Sequence, residues 1–585
     1  MQKGELKIKQ YSITILRKRL FAISLAVAFL FLCILGRLLY VQVIWGEDLQ
    51  EKAIDQWTRE IPVVASRGNI VDCNGVVLVN NDDTYTVFAR KKAVKDVDKL
   101  SQALSKELGI DYEYVYNRLT KTYSSEVTIK KQVPKQQVNK LLEYGFEGVY
   151  YSRDNSRIYP YNDLLSSVLG YTSTDGKGQS GLELFYDKYL SGINGEILYE
   201  TDIVGVEIDQ GKASYVPATD GLNVKLTIDY EIQQLCETAM QEAMQVTSAK
   251  SAQMLVLDPN TGAIKALCIK PSFNLNEIPR DNLELLNELS RNKLVCDVYE
   301  PGSTFKILTT AANVQEYLNG NKSAYSLEHV FNGSRYRYVD GQKVKCWNMH
   351  KNGKHSGLNI QGALNNSCNP IFVDMAMSLG KQTMYKYIDL FNYGTVTGID
   401  FNGESQGMVL PKSCVLNVDL ARIAFGQTIA VTGLQLACAT AATINGGNYY
   451  TPYLVSEIFK NDGTMVEKIY PKIKNKVISE QASSVMRTLL EGVVKDGSGS
   501  QAYIEGYRVG GKTGTAQKYE NGVIAQGKYV SSFIGFFPAN APKYLALVII
   551  DEPVGSYYGS TVAAPFAKQV FEGLIELKNI QGEDV

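Results

Sequence analysis

Residues Leu20–Gly36 read LFAISLAVAFLFLCILG, seventeen positions without a charged side chain. As a helix that run spans about 25 Å at ~1.5 Å per residue. Leu38–Val41 extend it, Arg37 can snorkel, and Tyr40 and Trp45 suit a membrane interface. A buried core helix is the competing reading. Against it, Lys3, Lys7, Lys9, Arg17, Lys18 and Arg19 precede the run with Glu5 as the sole acid, and a basic flank at an N-terminal position favours insertion. No small-x-small cleavage site follows, and Leu32 rather than a small residue precedes Cys33, so neither a cleaved signal nor a lipoprotein signal fits. The expectation is a cytoplasmic tail (1–19), an uncleaved anchor (20–41), and an external remainder.

Composition narrows what that remainder does. The chain has 585 residues, 45% apolar and 21% charged, which suits two to four folded domains. Lys+Arg of 60 against Asp+Glu of 61 gives no basic excess for a nucleic-acid partner. Nine cysteines occur without a C-x-x-C pair, which argues against a zinc module. Three histidines (His329, His350, His355) leave a Ser-His-Asp hydrolase little to draw on. His350 and His355 lack nearby acidic ligands and read as surface loop, so no metal and no cofactor are expected.

Residues 42–220 read as a polar, tyrosine-rich, extended module. Thr58–Ser66 looks extended, Asn74–Gly75 within Arg67–Val79 is a hairpin signal, and 93–142 alternates helical patterns with Lys-rich faces. A second domain starts near Pro217–Gly221. Leu222–Asp229 reads as a strand, followed by a helix with Ile232, Leu235, Ala239 and Ala243 on one face. Ser251–Lys270 reads as two strands around a turn at Pro259–Gly262, and Glu284–Asn287 as helix. Arg508–Thr515, Tyr529–Phe537 and Tyr544–Asp551 are late strand candidates. Strands at both ends with helices between predict an α+β domain with an antiparallel sheet and a helical insert.

Within that insert, EPGSTFKILTT (Glu300–Thr310) places Ser303 and Lys306 three apart, on one face of a helix opened by Pro301–Gly302. A serine hydroxyl needs a base, and a lysine serves if burial lowers its pKa. Alone the pattern is weak, since Ser290–Lys293 and Ser378–Lys381 share its spacing. NNSCNP (Asn365–Pro370) adds Ser367 and Asn369, and VGGKTGTAQ (Val509–Gln517) adds Lys512-Thr513-Gly514-Thr515. Ser-x-x-Lys, Ser-x-Asn and Lys-Thr-Gly in that order form the set found in penicillin-binding proteins and class A β-lactamases, apart from Cys368 in the middle of the second. The roles cohere. A strand carrying Lys512–Gly514 lets an extended peptide add to its edge, Lys512 and Thr513 bind a carboxylate, Ser367 relays a proton, Asn369 fixes an amide, and the backbone N–H groups of Ser303 and Thr515 form an oxyanion hole.

From about residue 55 onward the chain resembles a class B penicillin-binding protein. Arg67, Gly68, Asp72, Asn74 and Gly75 match the pedestal signature, with Cys73 where the family often has a basic residue. GLELFYDKYLSG (Gly181–Gly192) and FGQTIAVTGLQLA (Phe425–Ala437) also match. The resemblance implies a single transmembrane helix, a pedestal (dimerisation) domain over 42–220, and a transpeptidase domain over 221–585 with a five-stranded antiparallel sheet flanked by helices. It implies a serine D,D-transpeptidase that cross-links peptidoglycan stem peptides and is acylated by β-lactams at Ser303. The implied partner is a membrane glycosyltransferase of the shape-elongation-division-sporulation type. A β-lactamase would need a group that activates a deacylating water, and none is found; a β-lactam sensor would need more than 19 cytoplasmic residues, and a silent scaffold would not need the complete motif set.

Cys368, with Cys346 upstream, resembles the sporulation-specific members, the septal division enzyme being the close competitor. Cys346 and Cys368 form a candidate redox pair: a bond between them would close a loop across the groove and call for an extracytoplasmic thiol-disulfide oxidoreductase. The alternative is two unpaired thiols, with Cys368 a small residue that fits.

Overall fold

The computed structural model describes residues 12–49, 58–124, 126–200, 214–347, 355–520 and 523–582. The basic residues before Ser12, and His350, lie outside these. Ile13–Ile44 is one helix, α-helical to Leu39 and π-helical from Tyr40, with Ile13–Leu39 exposed throughout. Among the described residues it is the one helix long and apolar enough to cross a membrane.

The chain divides into two compact units. The first comprises Met1–Val64, Thr86–Arg153 and Asn194–Ala218. In it, Thr58–Val63, Gly195–Glu200 and Ser214–Val216 form an antiparallel sheet. Helices Val97–Leu108 and Tyr112–Lys121 start at Asp96 and Asp111, whose carboxylates accept from the backbone N–H groups of Lys99 and Tyr114. The helical pattern expected across 93–142 needs one correction: Glu126–Pro134 is a strand. Val127 and Ile129 are buried at a spacing of two, and their β-branched side chains suit a pleated surface better than a helix.

The second unit comprises Ala65–Tyr85, Asp154–Ile193 and Thr219–Val585. Its N-terminal hairpin pairs Ile70–Val71 with Val77–Val79. Gly75, at φ 91°, makes the turn, and Asp72 Oδ1 accepts from the N–H groups of Asn74 and Val76. The Arg67 guanidinium, 7% exposed, binds Glu183 and Asp187, each at 2.6 Å, and Arg157 reaches the other oxygen of Glu183 at 2.7 Å. Two of the sequence signatures are therefore the two halves of one buried ion network. Asn223–Leu226, expected as a strand, pairs with this hairpin and with Val455–Phe459 rather than with the main sheet.

The main sheet holds β1 (Ser251–Leu257), β2 (Ile264–Lys270), β3 (Gly510–Glu520), β4 (Val523–Phe537) and β5 (Tyr544–Asp551), in the order β2-β1-β5-β4-β3, all neighbours antiparallel. Both faces of the central strands are covered, so β1, β2 and β5 are mostly apolar, whereas the edge strand β3 carries Lys512, Thr513 and Thr515. Met254, Val256, Ala546 and Val548 pack on one face with helices α1 (Tyr230–Thr247) and α6 (Ala564–Leu577). Leu255, Leu257, Leu545 and Leu547 face the helical insert, whose largely apolar helix α4 (Gly433–Ile444) is buried along its whole length. The insert also holds α2 (Lys306–Leu318), α3 (Asn369–Leu390, kinked at Gly380) and α5 (Glu480–Asp496). Strand β3 is the sheet's edge. Its pairing with β4 continues as a two-stranded ribbon beyond Val530, where β5 ends.

Candidate active site

Ser303 lies in a 3-10 turn, Gly302–Phe305, that runs directly into α2. Thr304 Oγ1 donates to the Pro301 carbonyl at 2.7 Å, and Phe305 is fully buried, so the turn is held at both ends. Gly426, at φ 79°, accepts from the Gly302 N–H at 3.0 Å, and a Cβ there would lie 2.1 Å from the Gly302 carbonyl oxygen. That contact explains why a glycine in the Phe425–Ala437 segment matters to the serine. The lysine side chain one turn on points back along the helix, and Lys306 Nζ donates to Ser303 Oγ at 3.1 Å.

Ser367 takes a left-handed conformation (φ 50°), and Cys368 is the N-cap of α3. This bend aims Ser367 and Asn369 at the same lysine. Lys306 Nζ donates to Ser367 O at 2.9 Å, Ser367 Oγ at 3.0 Å and Asn369 Oδ1 at 2.6 Å. Lys512 on β3 donates to Ser367 Oγ at 3.2 Å and to Thr513 O at 3.2 Å. Both lysines are 0% exposed. Burial lowers Lys306 to about 8. It also holds Lys512 well below its usual value, with Lys306 as a further cause. With one hydroxyl between the two amines, a proton on either disfavours a proton on the other.

The structure thus brings Ser303, Lys306, Ser367, Asn369 and Lys512 into one cluster and places Thr513–Thr515 on the edge strand beside it. A Cβ at Gly514 would meet Ser532 Oγ at 2.4 Å and the Pro301 carbonyl at 3.0 Å, so only glycine lets the strand pass this close to the serine turn. Four positions escaped the sequence reading. Ser498 Oγ accepts from Thr513 Oγ1 at 3.3 Å, Gly559 N donates to Thr515 Oγ1 at 3.1 Å, and Trp347 packs edge-on to Tyr558 at 6.2 Å. None lies in a motif: Ser498 follows α5, 15 positions before Thr513, and Gly559 opens a short helix 44 positions after Thr515. The competing pairs are structural: Ser290 Oγ donates to Leu286 O and Ser378 Oγ to Ser323 O, while Lys381 reaches Val415 O.

Cys346, His355 and Cys368 also converge. Their Sγ, imidazole nitrogen and Sγ lie within 4.8 Å of one another. The surface-loop reading of His355 is overturned, since it is 1% exposed. A Cβ on Gly333 would lie 1.2 Å from the His355 carbonyl oxygen, so the glycine lets the two backbones pack. The two thiols are not joined in a disulfide, and the adjacent Cys346 thiol and burial push Cys368 up.

Residues 252–572 match the penicillin binding protein transpeptidase domain and residues 62–226 the penicillin-binding protein dimerisation domain. The chain belongs to the penicillin-binding protein transpeptidase family. It is 38% identical over 558 residues to "Stage V sporulation protein D" of Bacillus subtilis, covering 95% of this chain and 85% of that one. It is 32% identical to the "Peptidoglycan D,D-transpeptidase FtsI homolog" of Mesostigma viride, covering 94% of each. A peptidoglycan synthetase from Bifidobacterium adolescentis shares the fold, with a TM-score of 0.72 at 24% identity over 90% of this chain and 98% of that one.

Proposed function

We propose that the protein is a serine D,D-transpeptidase that cross-links peptidoglycan stem peptides and is acylated by β-lactams. The observation that carries this reading is the buried amine of Lys306 on Ser303 Oγ, lowered to about 8 by its burial. Ser303 Oγ attacks the penultimate D-Ala carbonyl and passes its proton to Lys306. The N–H groups of Ser303 and Thr515 hold the oxyanion. Ser367 carries the proton to the leaving amine of the terminal D-Ala. An amine of a neighbouring stem then attacks the ester and gives its proton to Lys306, which hands it to Ser303 Oγ as the ester bond breaks and the serine is freed. The substrate's terminal carboxylate meets Lys512 and Thr513, favouring the proton on Lys512 and so the neutral form of Lys306. Asn369 fixes the substrate amide, and the donor peptide lies along the free edge of β3.

The wider setting follows the same reading. Residues 1–19 form a cytoplasmic tail, 20–41 the anchor, 42–220 the pedestal and 221–585 the transpeptidase domain. A shape-elongation-division-sporulation glycosyltransferase supplies the glycan strands. The similarity to a sporulation protein favours spore-cortex synthesis over septal division. Cys346 and Cys368 serve as a redox pair, and a thiol-disulfide oxidoreductase returns two electrons and two protons to their bond.

Ser303→Ala should abolish covalent labelling of membranes by a fluorescent penicillin, whereas Ser290→Ala and Ser378→Ala should stay within about twofold of wild type. Labelling that survives Ser303→Ala would overturn the assignment. For orientation, protease added to wall-stripped intact cells should digest nearly the whole chain, and protection of its bulk would reverse the topology.

A further inference from the structure

We infer that the cavity beside the serine turn is a subsite for the amine-bearing side chain of the donor stem, with Glu300 as the carboxylate that receives the amine. The inference rests on the transpeptidase reading and extends it to the choice of donor. Position comes first. A cavity of about 730 Å³ lies between Val298–Glu300, Gln406–Leu410, Thr428–Ala430 and Ala516–Tyr519. Met408, Gln517 and Tyr519 are exposed, so it is reached from the surface. The Thr515 carbonyl lies against the serine turn, since a Cβ on Gly302 would come within 2.9 Å of its oxygen. With the terminal carboxylate at Lys512 and Thr513 and the oxyanion at Thr515, a donor on the edge of β3 runs antiparallel to it. Its residues before the reacting D-Ala therefore pass Gln517 and Tyr519. Alternate side chains of an added strand point to one face, and on the insert side of this stretch that face is the cavity.

The lining then selects the ligand. Glu300 Oε1 accepts from the Thr428 N–H at 2.8 Å, while Oε2 is buried without a hydrogen-bond partner. A buried carboxylate oxygen left bare is costly, and an ammonium brought by the substrate supplies what it lacks. Arg422, whose charge acts on Glu300, donates to Gln342 Oε1 instead. Lys518 also lines the cavity, but its Nζ is held by Asp551 at 2.9 Å and Glu552 at 2.7 Å, so its charge is already matched. Val298, Val409, Leu410 and Ile429 make the remaining wall apolar, which suits the methylenes that carry a side-chain amine.

The walls are also held before any substrate arrives. Met408 and Ala430 exchange both backbone hydrogen bonds, at 2.7 and 2.9 Å, and Val298–Tyr299 pairs with Val431–Thr432. Thr428 sits at φ 62°, a costly conformation for a β-branched residue, and its N–H fixes one oxygen of Glu300. The chemistry of the stems gives the subsite its use. A stem acts as acceptor through a side-chain amine, so a donor stem carries that amine too, free unless it has already been acylated. Acylation turns the ammonium into a neutral amide that Glu300 does not favour. The subsite thus selects donors not yet cross-linked through their own amine, and it keeps that amine away from the acyl carbonyl that the acceptor must reach.

The test uses the full-length protein in detergent and three thioester donors, acetyl-X-D-alanyl-thioglycolate, in which X is lysine, ε-N-acetyllysine or norleucine. Ser303 Oγ takes the acyl group, the carbon–sulfur bond breaks and thioglycolate leaves as the thiol, whose release gives kcat/KM. In wild type the lysyl donor should exceed the other two by about 10- to 100-fold, the value of a charge-assisted contact. Glu300→Gln keeps the oxygen that Thr428 uses and removes the charge, so its three donors should fall within about threefold of one another. Because the readout is a ratio within each protein, a general loss of rate in the variant cancels. The wild-type comparison stands by itself if the variant folds poorly. Equal use of the lysyl and acetyllysyl donors by wild type, a norleucyl donor as good as the lysyl one, or a preference that survives Glu300→Gln overturns the subsite. Benzylpenicillin labelling of the same samples separates the two levels: a labelled serine without amine preference removes the subsite alone, whereas no acylation by any donor or by penicillin removes the transpeptidase reading and the subsite with it.

Discussion

Lys270 and Lys306 are both buried lysines in the second unit, and their surroundings drive them in opposite directions. Lys270 Nζ lies 2.8 Å from Glu237 and 3.1 Å from Asp163. Burial pulls its pKa down, but the charge of Glu237, followed by smaller attractive contributions, more than reverses this and raises it. Lys306 has only a serine hydroxyl, a second hydroxyl, a carbonyl and an amide oxygen to donate to, and burial takes it down to about 8. Desolvation is common to both. What separates a structural cation from a candidate base is the carboxylate, and the groove around Ser303 offers Lys306 an amide, Asn369, where a carboxylate would hold the charge.

Removing the amine tests the difference most severely. Lys306→Ala should slow β-lactam acylation by about 100- to 1000-fold, measured as the single-turnover rate, while folded Lys270→Ala should label at the wild-type rate. Converting one environment into the other is subtler. Asn369→Asp puts a carboxylate at the position now 2.6 Å from Lys306 Nζ. Wild-type acylation should climb about tenfold per pH unit and level off near the Lys306 pKa of about 8. In Asn369→Asp that break should move up by about one to three units, with a matching loss of rate at neutral pH. An unmoved break would separate Lys306 from the titrating base.

Stability should divide with the opposite sign. Lys270→Met strands Glu237 and should cost about 2–3 kcal/mol in denaturant unfolding, below the fully buried range because Asp163 is half exposed. Lys306→Met removes a desolvated amine and should add about 1 kcal/mol, the usual exchange of stability against activity. The pH dependence follows. Lys270 has a folded pKa above the unfolded one, so its contribution is complete below the unfolded value of about 10.4 and is lost as pH rises through the folded pKa. Lys306 is lowered, so its cost is complete below about 8 and fades between there and the unfolded value.

Much of this was legible in the sequence because it is local. The central strands of the main sheet are covered on both faces, so β1 and β5 stand out as apolar runs, and Ser303 and Lys306 meet because they share one helical turn. What stayed hidden depends on distance along the chain. The strand Glu126–Pro134 carries Lys130 and Lys131 at its centre, which masks its alternation. Asn223–Leu226 was recognisable as a strand, but its partners lie near residues 70 and 458. Glu183 belongs to a visible signature, yet its pairing with Arg67 spans 116 positions. His355 was misjudged because its backbone packs against Gly333, 22 residues upstream, a contact no local pattern shows.

The ribbon that continues β3 and β4 past the end of β5 has a consequence for exchange with solvent. Gly510–Thr515 lies beside four-strand support and a buried core, whereas Gln517–Glu520 pairs only with Val523–Tyr529 across a register shift. In deuterated water the two halves of one strand should therefore run on different clocks, the inner amides opening only with the unit and the outer ones by local fraying. An acyl chain lying along the free edge would slow the exchange of the outward-facing amides it covers. Amide exchange along a single strand would then report how far the bound donor reaches from Ser303.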